Sequence, residues 1–96
     1  MNRQTTLNLL AEHKPFLVRQ FGVKKFALFG STARDAATAG SDVDVLVEFD
    51  GPATSERFFG VQFYLEDHLG CPVDLVTDKA LRPELRPFIE REAVHV

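Results

Sequence analysis

The sequence predicts an α/β (α+β) protein, because apolar residues recur with helical spacing in two long segments and with strand spacing in shorter ones. The helical segments are residues 5–21 and 55–69. Short runs rich in β-branched or aromatic residues lie between and after them, at 23–29, 42–48 and 72–77. Alternation of the two kinds of segment favours helices packed on a sheet.

The first helix is predicted over residues 5–21, with apolar side chains on one stripe and Gly22 as its end. Pro15 lies inside this segment and predicts a kink or a split. The strand at 23–29 runs into Gly30-Ser31, which predicts a turn and then a short helix over residues 32–38, closed by Gly40-Ser41.

The next strand alternates valines with acids. Val43, Val45 and Val47 predict a buried face, and Asp42 and Asp44 share the opposite face, about 7 Å apart between Cα atoms. A helix over 55–69 ends at Gly70, and the last clear strand, 72–77, carries the single acid Asp74. In the tail, Pro83 and Pro87 predict breaks, Glu90 and Glu92 a solvated helix face, and residues 93–96 an edge strand.

The segment from Gly30 to Asp44 combines two features that suit a nucleotide. Gly30 lets the backbone approach an anion closely, and Ser31 can cap a helix whose free N–H groups attract phosphate. Asp42 and Asp44 can reach one Mg²⁺ ion, or a pair of them, held against the phosphates. This order of residues indicates a phosphate cradle followed by metal-binding carboxylates.

Composition excludes several classes of function. The 96 residues, 45% of them hydrophobic, are enough for one domain with its own core, so residues 1–96 are expected to form a single domain. A net charge of −3 argues against direct nucleic-acid binding. No apolar run has the length of a membrane span, and Cys71, the only cysteine, cannot form an internal disulfide, which fits a reducing cytoplasm.

Taken together, Gly-Ser-x-Ala-Arg, Ser-Asp-x-Asp and the later Val-Asp-Leu-Val resemble the DNA polymerase β-like nucleotidyltransferase superfamily over nearly the whole chain. The short length and the ending Ile-Glu-Arg-Glu-Ala-Val resemble its minimal nucleotidyltransferases, commonly antitoxins paired with HEPN-domain ribonuclease toxins. The resemblance implies a small mixed β-sheet flanked by helices. It also implies transfer of AMP from ATP to a tyrosine hydroxyl of the toxin, in a hetero-oligomer with that toxin.

The resemblance also implies roles for single residues. Asp42 and Asp44 would coordinate two Mg²⁺ ions, and Asp74 would complete the acidic triad and take the proton of the attacking hydroxyl. Gly30 and Ser31 would hold the β and γ phosphates. Arg34 would reach an anionic oxygen or pair with a neighbouring acid.

Two alternatives to an active adenylyltransferase antitoxin stay open at this stage. One is a non-catalytic antitoxin that neutralises the toxin by binding only. It depends on Asp35, which stands where many family members carry Gly, because a carboxylate directed at the phosphates would weaken nucleotide binding. The other is a free-standing nucleotidyltransferase for a small molecule, which needs a substrate pocket that this length barely permits.

Overall fold

The protein is described by a computed structural model that covers residues 2–38 and 41–96. The long elements are α1 (Arg3–Phe21), β1 (Val23–Phe29), β2 (Val43–Phe49), α3 (Ser55–Leu69) and β3 (Val73–Thr77). A short helix α2 (Gly30–Ala33) follows β1. A 3₁₀ turn (Asp78–Ala80), α4 (Arg86–Glu92) and β4 (Val94–His95) complete the described chain.

The strands form one mixed sheet in the order β3-β2-β1-β4, which confirms the predicted fold class. β1 pairs antiparallel with β2 and with β4, whereas β2 and β3 run parallel. Parallel strands need a crossover connection, and α3 provides it. The beginnings of β2 and β3 therefore lie side by side at the edge of the sheet where β1 ends.

The main core lies between one face of the sheet and the two long helices. The valines of β2 point into it, as their alternation predicts, and meet Leu10 and Leu17 of α1 and Leu65 of α3. A second, smaller cluster on the opposite face contains Phe29, Leu46 and Leu81. The acid-bearing face of β2 is therefore partly apolar as well, because β2 lies inside the sheet and is covered on both sides.

Both long helices end where the sequence predicts. Gly22 and Gly70 adopt the left-handed conformation after α1 and α3, with φ of 71° and 73°. The Asn2 side chain caps α1 by accepting a hydrogen bond from the Thr5 N–H at 2.7 Å. α1 continues through Pro15 without a break, so the predicted split is wrong.

Two predictions about the shorter helices are corrected. The helix predicted over residues 32–38 is only Gly30–Ala33, because Asp35 takes the left-handed conformation (φ 58°). The Asp35 N–H donates to the Thr32 carbonyl and the Ala36 N–H to the Ser31 carbonyl, a Schellman ending. Gly40, predicted to close this helix, lies outside the described residues. Pro87 does not break α4 but lies in its first turn, where its missing N–H costs nothing.

The described part of the chain contains no helix with both the length and the apolar character needed to cross a membrane.

Candidate functional site

The three predicted acids gather at the edge where β2 and β3 begin. Asp44 and Asp74 are partners in the parallel register of these two strands, so their side chains leave the sheet side by side on one face. Asp42 precedes the first residue of β2 and is exposed. Because Val43 and Val45 point into the main core, the acids lie on the face opposite α1 and α3.

Burial and the two neighbouring acids make Asp44 harder to ionise. The pKa of Asp44 is raised from its ordinary 3.8 to about 6. Burial is the largest cause, followed by Asp74 and then Asp42. The Arg34 guanidinium opposes this rise but does not cancel it. A cation placed among these carboxylates would relieve their repulsion, and carboxylates are the ligands that Mg²⁺ prefers. The donor set therefore fits a magnesium site.

The carboxylates do not yet converge as a complete set of ligands. Among residues 2–38 and 41–96, no three His, Cys, Asp or Glu side chains are gathered closely enough to hold a metal ion. The register brings Asp44 and Asp74 together, and Asp42, which precedes β2, is exposed as Asp74 is. A bound cation would have to bring the three carboxylates closer together.

Gly30 is fitted to Asp44. It has φ of 73°, and a Cβ added there would collide with the Asp44 carboxylate. Only glycine meets both demands at this point, a left-handed backbone and room for the neighbouring acid. The group that Gly30 approaches in the structure is the Asp44 carboxylate, and its predicted approach to a phosphate stays a prediction.

Ser31 does not cap a helix as its sequence context predicts. The N-cap of α2 is Phe29, which makes no side-chain capping bond, and Ser31 is the second residue of the helix. The Ser31 side chain is half-buried beside the acidic edge. Ser31 lies in α2, directly after β1, and its predicted contact with a phosphate stays a prediction.

Arg34 adopts one of the two arrangements predicted for it, the pairing with a neighbouring acid. Its Nη1 lies 2.7 Å from Oε2 of Glu92, at the end of α4. The other oxygen of Glu92 accepts a hydrogen bond from the Gly30 N–H at 3.1 Å. The prediction that Glu92 belongs to a solvated helix face is therefore wrong. No local pattern could have revealed this contact, since 58 residues separate the two partners.

Asp35 is directed to the start of α1. Its Oδ1 accepts a hydrogen bond from the Arg3 N–H at 3.2 Å, where the helix dipole favours a negative charge. The left-handed φ of this residue explains why glycine suits the position and why a short polar side chain is tolerated. The carboxylate thus has a structural partner in the first turn of α1.

The acidic edge is accessible to solvent, because Asp42 and Asp74 are exposed and Asp44 is half-buried. Two depressions in the described structure lie at the other end of β2, near Glu48 and Asp78, and none of the three acids lines either one. The half-buried Cys71 is a poor candidate for a nucleophile, because burial raises the pKa of its thiol and disfavours the thiolate.

Comparison with known protein families finds a match over most of the chain. Residues 10–96 match the model of the family described as nucleotidyltransferase domain. Protein adenylyltransferase MntA of Thermococcus cleftensis is 38% identical over 89 residues, which cover 93% of this chain and 90% of that protein. A Methanocaldococcus jannaschii protein, provisionally named protein adenylyltransferase MJ0128, is 40% identical over 93% of this chain and 92% of its own length.

Solved structures show the same fold. One, provisionally described as a minimal nucleotidyltransferase, superposes with a TM-score of 0.82 at 35% identity, covering 98% of this chain and 95% of its own. Another is the complex of tri-AMPylated Shewanella oneidensis HEPN toxin with MNT antitoxin. A chain of that complex gives a TM-score of 0.67 at 19% identity, covering 97% of this chain and 70% of its own, which is a likeness of fold.

Proposed function

The chain belongs to the nucleotidyltransferase domain family, and we propose that it is a protein adenylyltransferase that acts as an antitoxin. It would transfer AMP from ATP to a tyrosine hydroxyl of a HEPN-domain toxin and so neutralise that toxin. The observation that carries the proposal is the pair Asp44 and Asp74, side by side on adjacent strands, with Gly30 leaving room for the Asp44 carboxylate.

The relatives support the protein-modifying activity. Protein adenylyltransferase MntA matches 93% of this chain, and the match covers 90% of that protein, so the similarity extends over nearly all of the domain. The acidic edge agrees with a macromolecular acceptor, because Asp42 and Asp74 are exposed and a second protein could reach them. The toxin would form the rest of the acceptor site, and the two proteins would form a hetero-oligomer.

In the proposed reaction, the tyrosine oxygen forms a bond to the α-phosphorus of ATP, and the bond from that phosphorus to the pyrophosphate breaks. Asp74 accepts the proton of the hydroxyl, which at its ordinary pKa near 10 is a weak nucleophile at neutral pH. Arg34 places positive charge beside the phosphates, and Ser31 contacts them from α2. Because Gly30 has no side chain, the start of α2 can lie close to Asp44.

Mg²⁺ is the cofactor that the three acids fit. Asp42, Asp44 and Asp74 would hold it. Bound Mg²⁺ would neutralise charge on the phosphates and on the attacking oxygen. We propose that two Mg²⁺ ions bind. We also propose that the protein works in a reducing cytoplasm, where the free thiol of Cys71 would remain reduced.

The test is the intact mass of the candidate toxin after incubation with this protein, ATP and Mg²⁺. We expect a gain of one or more AMP groups with the wild type and none with the double variant Asp42→Asn, Asp44→Asn. Glu48→Gln is the matched control, since Glu48 lies on the same strand at the end remote from the acids. It should modify the toxin as the wild type does.

The same experiment separates the binding-only alternative. A stable complex without any mass gain, together with neutralisation by the double variant, would establish that the antitoxin works by binding. The structural reason for that alternative is weakened, because the Asp35 carboxylate has a hydrogen-bond partner at the start of α1. Transfer to a small molecule, with no change in the toxin, would instead favour a free-standing enzyme.

A further inference from the structure

The carboxylate of Glu92 connects the end of α4 to residues 30–34, the short loop that follows β1 and contains α2. One oxygen accepts the Gly30 N–H at 3.1 Å, and the other lies 2.7 Å from Nη1 of Arg34. The side chain is 25% exposed, so a substantial part of it is withdrawn from water. One acid therefore contacts two of the residues predicted to bind the nucleotide.

The position of Glu92 is unfavourable for an acid by local rules. It is the last residue of α4, where the helix dipole presents its negative end and favours cations. The contacts with Arg34 and with the Gly30 N–H offset this cost. The chain is also held directly after Glu92, because β4 pairs with β1 through Leu28 and Val94. The backbone beyond Glu92 is thus fixed to the strand that leads into Gly30.

We propose that Glu92 is a positioning residue for the transfer reaction, an inference that rests on the proposed function. It holds the Arg34 guanidinium by Nη1 and fixes the loop at Gly30. A guanidinium carries five N–H groups, so Nη1 can be held by Glu92 while other N–H groups bind a phosphate of the nucleotide. The single N–H of Gly30 then anchors the loop, and the contribution of Gly30 to the site is its small size next to Asp44.

Arg34 needs such an anchor because its side chain is 54% exposed. A long exposed side chain samples many rotamers, and ordering it at the moment of binding costs affinity. Glu92 orders the side chain in advance. The opposite reading is that the Glu92 carboxylate occupies the place of a phosphate and competes with the nucleotide. The two readings predict opposite effects of removing the charge.

The first test is the variant Glu92→Gln in the full chain, with binding of Mg-ATP measured by titration calorimetry. We expect affinity for ATP to fall by about two- to fivefold, the range of a partly exposed ion pair. In toxin modification assays, KM for ATP should rise by a similar factor while kcat changes little. Glu90→Gln is the matched control, because Glu90 lies on the same helix and contacts Arg86 instead. It should leave both quantities unchanged.

The second test is a double-mutant cycle with Arg34→Ala. If Glu92 acts through Arg34, Glu92→Gln will lower ATP affinity no further in the Arg34→Ala background. An equal loss in both backgrounds would show a general structural role and overturn the inference. Tighter ATP binding by Glu92→Gln would also overturn it, in favour of competition with phosphate.

The proposed function and this inference fail in different ways. If the wild type itself neither binds ATP nor modifies the toxin, both are wrong. If the wild type does both and Glu92→Gln behaves in the same way, only the inference is wrong.

Discussion

Replacing Asp44 by Asn should stabilise the metal-free protein while abolishing transfer. Burial and the neighbouring acids Asp74 and Asp42 raise the pKa of Asp44 from 3.8 to about 6, so its ionised form is less favourable in the folded chain than in the unfolded one. That difference corresponds to at most about 3 kcal/mol at ~1.36 kcal/mol per pH unit. Water reaches part of the carboxylate and screens its charge, which reduces the expected gain to about 1 kcal/mol.

The pH dependence follows from the sign of the change. Below pH 3.8 Asp44 is neutral in both states and costs nothing. Between pH 3.8 and about 6 the unfolded chain releases the proton first, so stability falls as pH rises through this window. The advantage of Asp44→Asn should therefore be complete at pH 7.5 and less than half as large at pH 4.

Thermal unfolding followed by circular dichroism, without Mg²⁺ and at both pH values, measures this difference. About 1 kcal/mol at pH 7.5 should appear as a rise in Tm of ~4–8 °C for a chain of this size. Asp67→Asn, an exposed acid on α3, serves as the control and should not change Tm. An Asp44→Asn variant that is less stable than the wild type at pH 7.5, or equally favoured at both pH values, would refute the reasoning.

Two glycine substitutions test the packing on either side of the sheet. Gly30→Ala should lower the free energy of unfolding by about 1–3 kcal/mol and abolish transfer, because the new Cβ would collide with the Asp44 carboxylate in a left-handed backbone. Gly60→Ala should cost a similar amount in urea unfolding, because its Cβ would collide with the Phe21 ring, yet it should retain transfer at temperatures where it is folded. Unchanged stability in either variant would contradict this packing.

Local signals predicted most of the fold. Alternating valines marked β2, and the apolar stripe closed by Gly70 marked α3 with the bounds that the structure has, Ser55–Leu69. Such signals succeed because periodicity and helix ends depend on neighbours in sequence. The family resemblance supplied the mixed topology, since the order of strands in a sheet depends on contacts between distant segments.

The errors lie where a local preference was overridden. Residues 32–38 contain good helix formers, but the left-handed Asp35 ends the helix after Ala33. The role of Glu92 required knowing that the chain returns to β1 after α4.

The arrangement of the site explains why these particular residues depart from local rules. Asp44 is placed where its ionisation costs stability, and Glu92 where the helix dipole opposes it. Arg34 and the Gly30 N–H offset the cost for Glu92, and a bound cation would, by our proposal, offset the cost for Asp44. Without a ligand, selection for stability alone would favour replacement of Asp44. The presence of Asp44 and Glu92 beside the same segment agrees with the proposed metal-nucleotide site, and it connects the stability gain expected for Asp44→Asn with the loss of ATP affinity expected for Glu92→Gln.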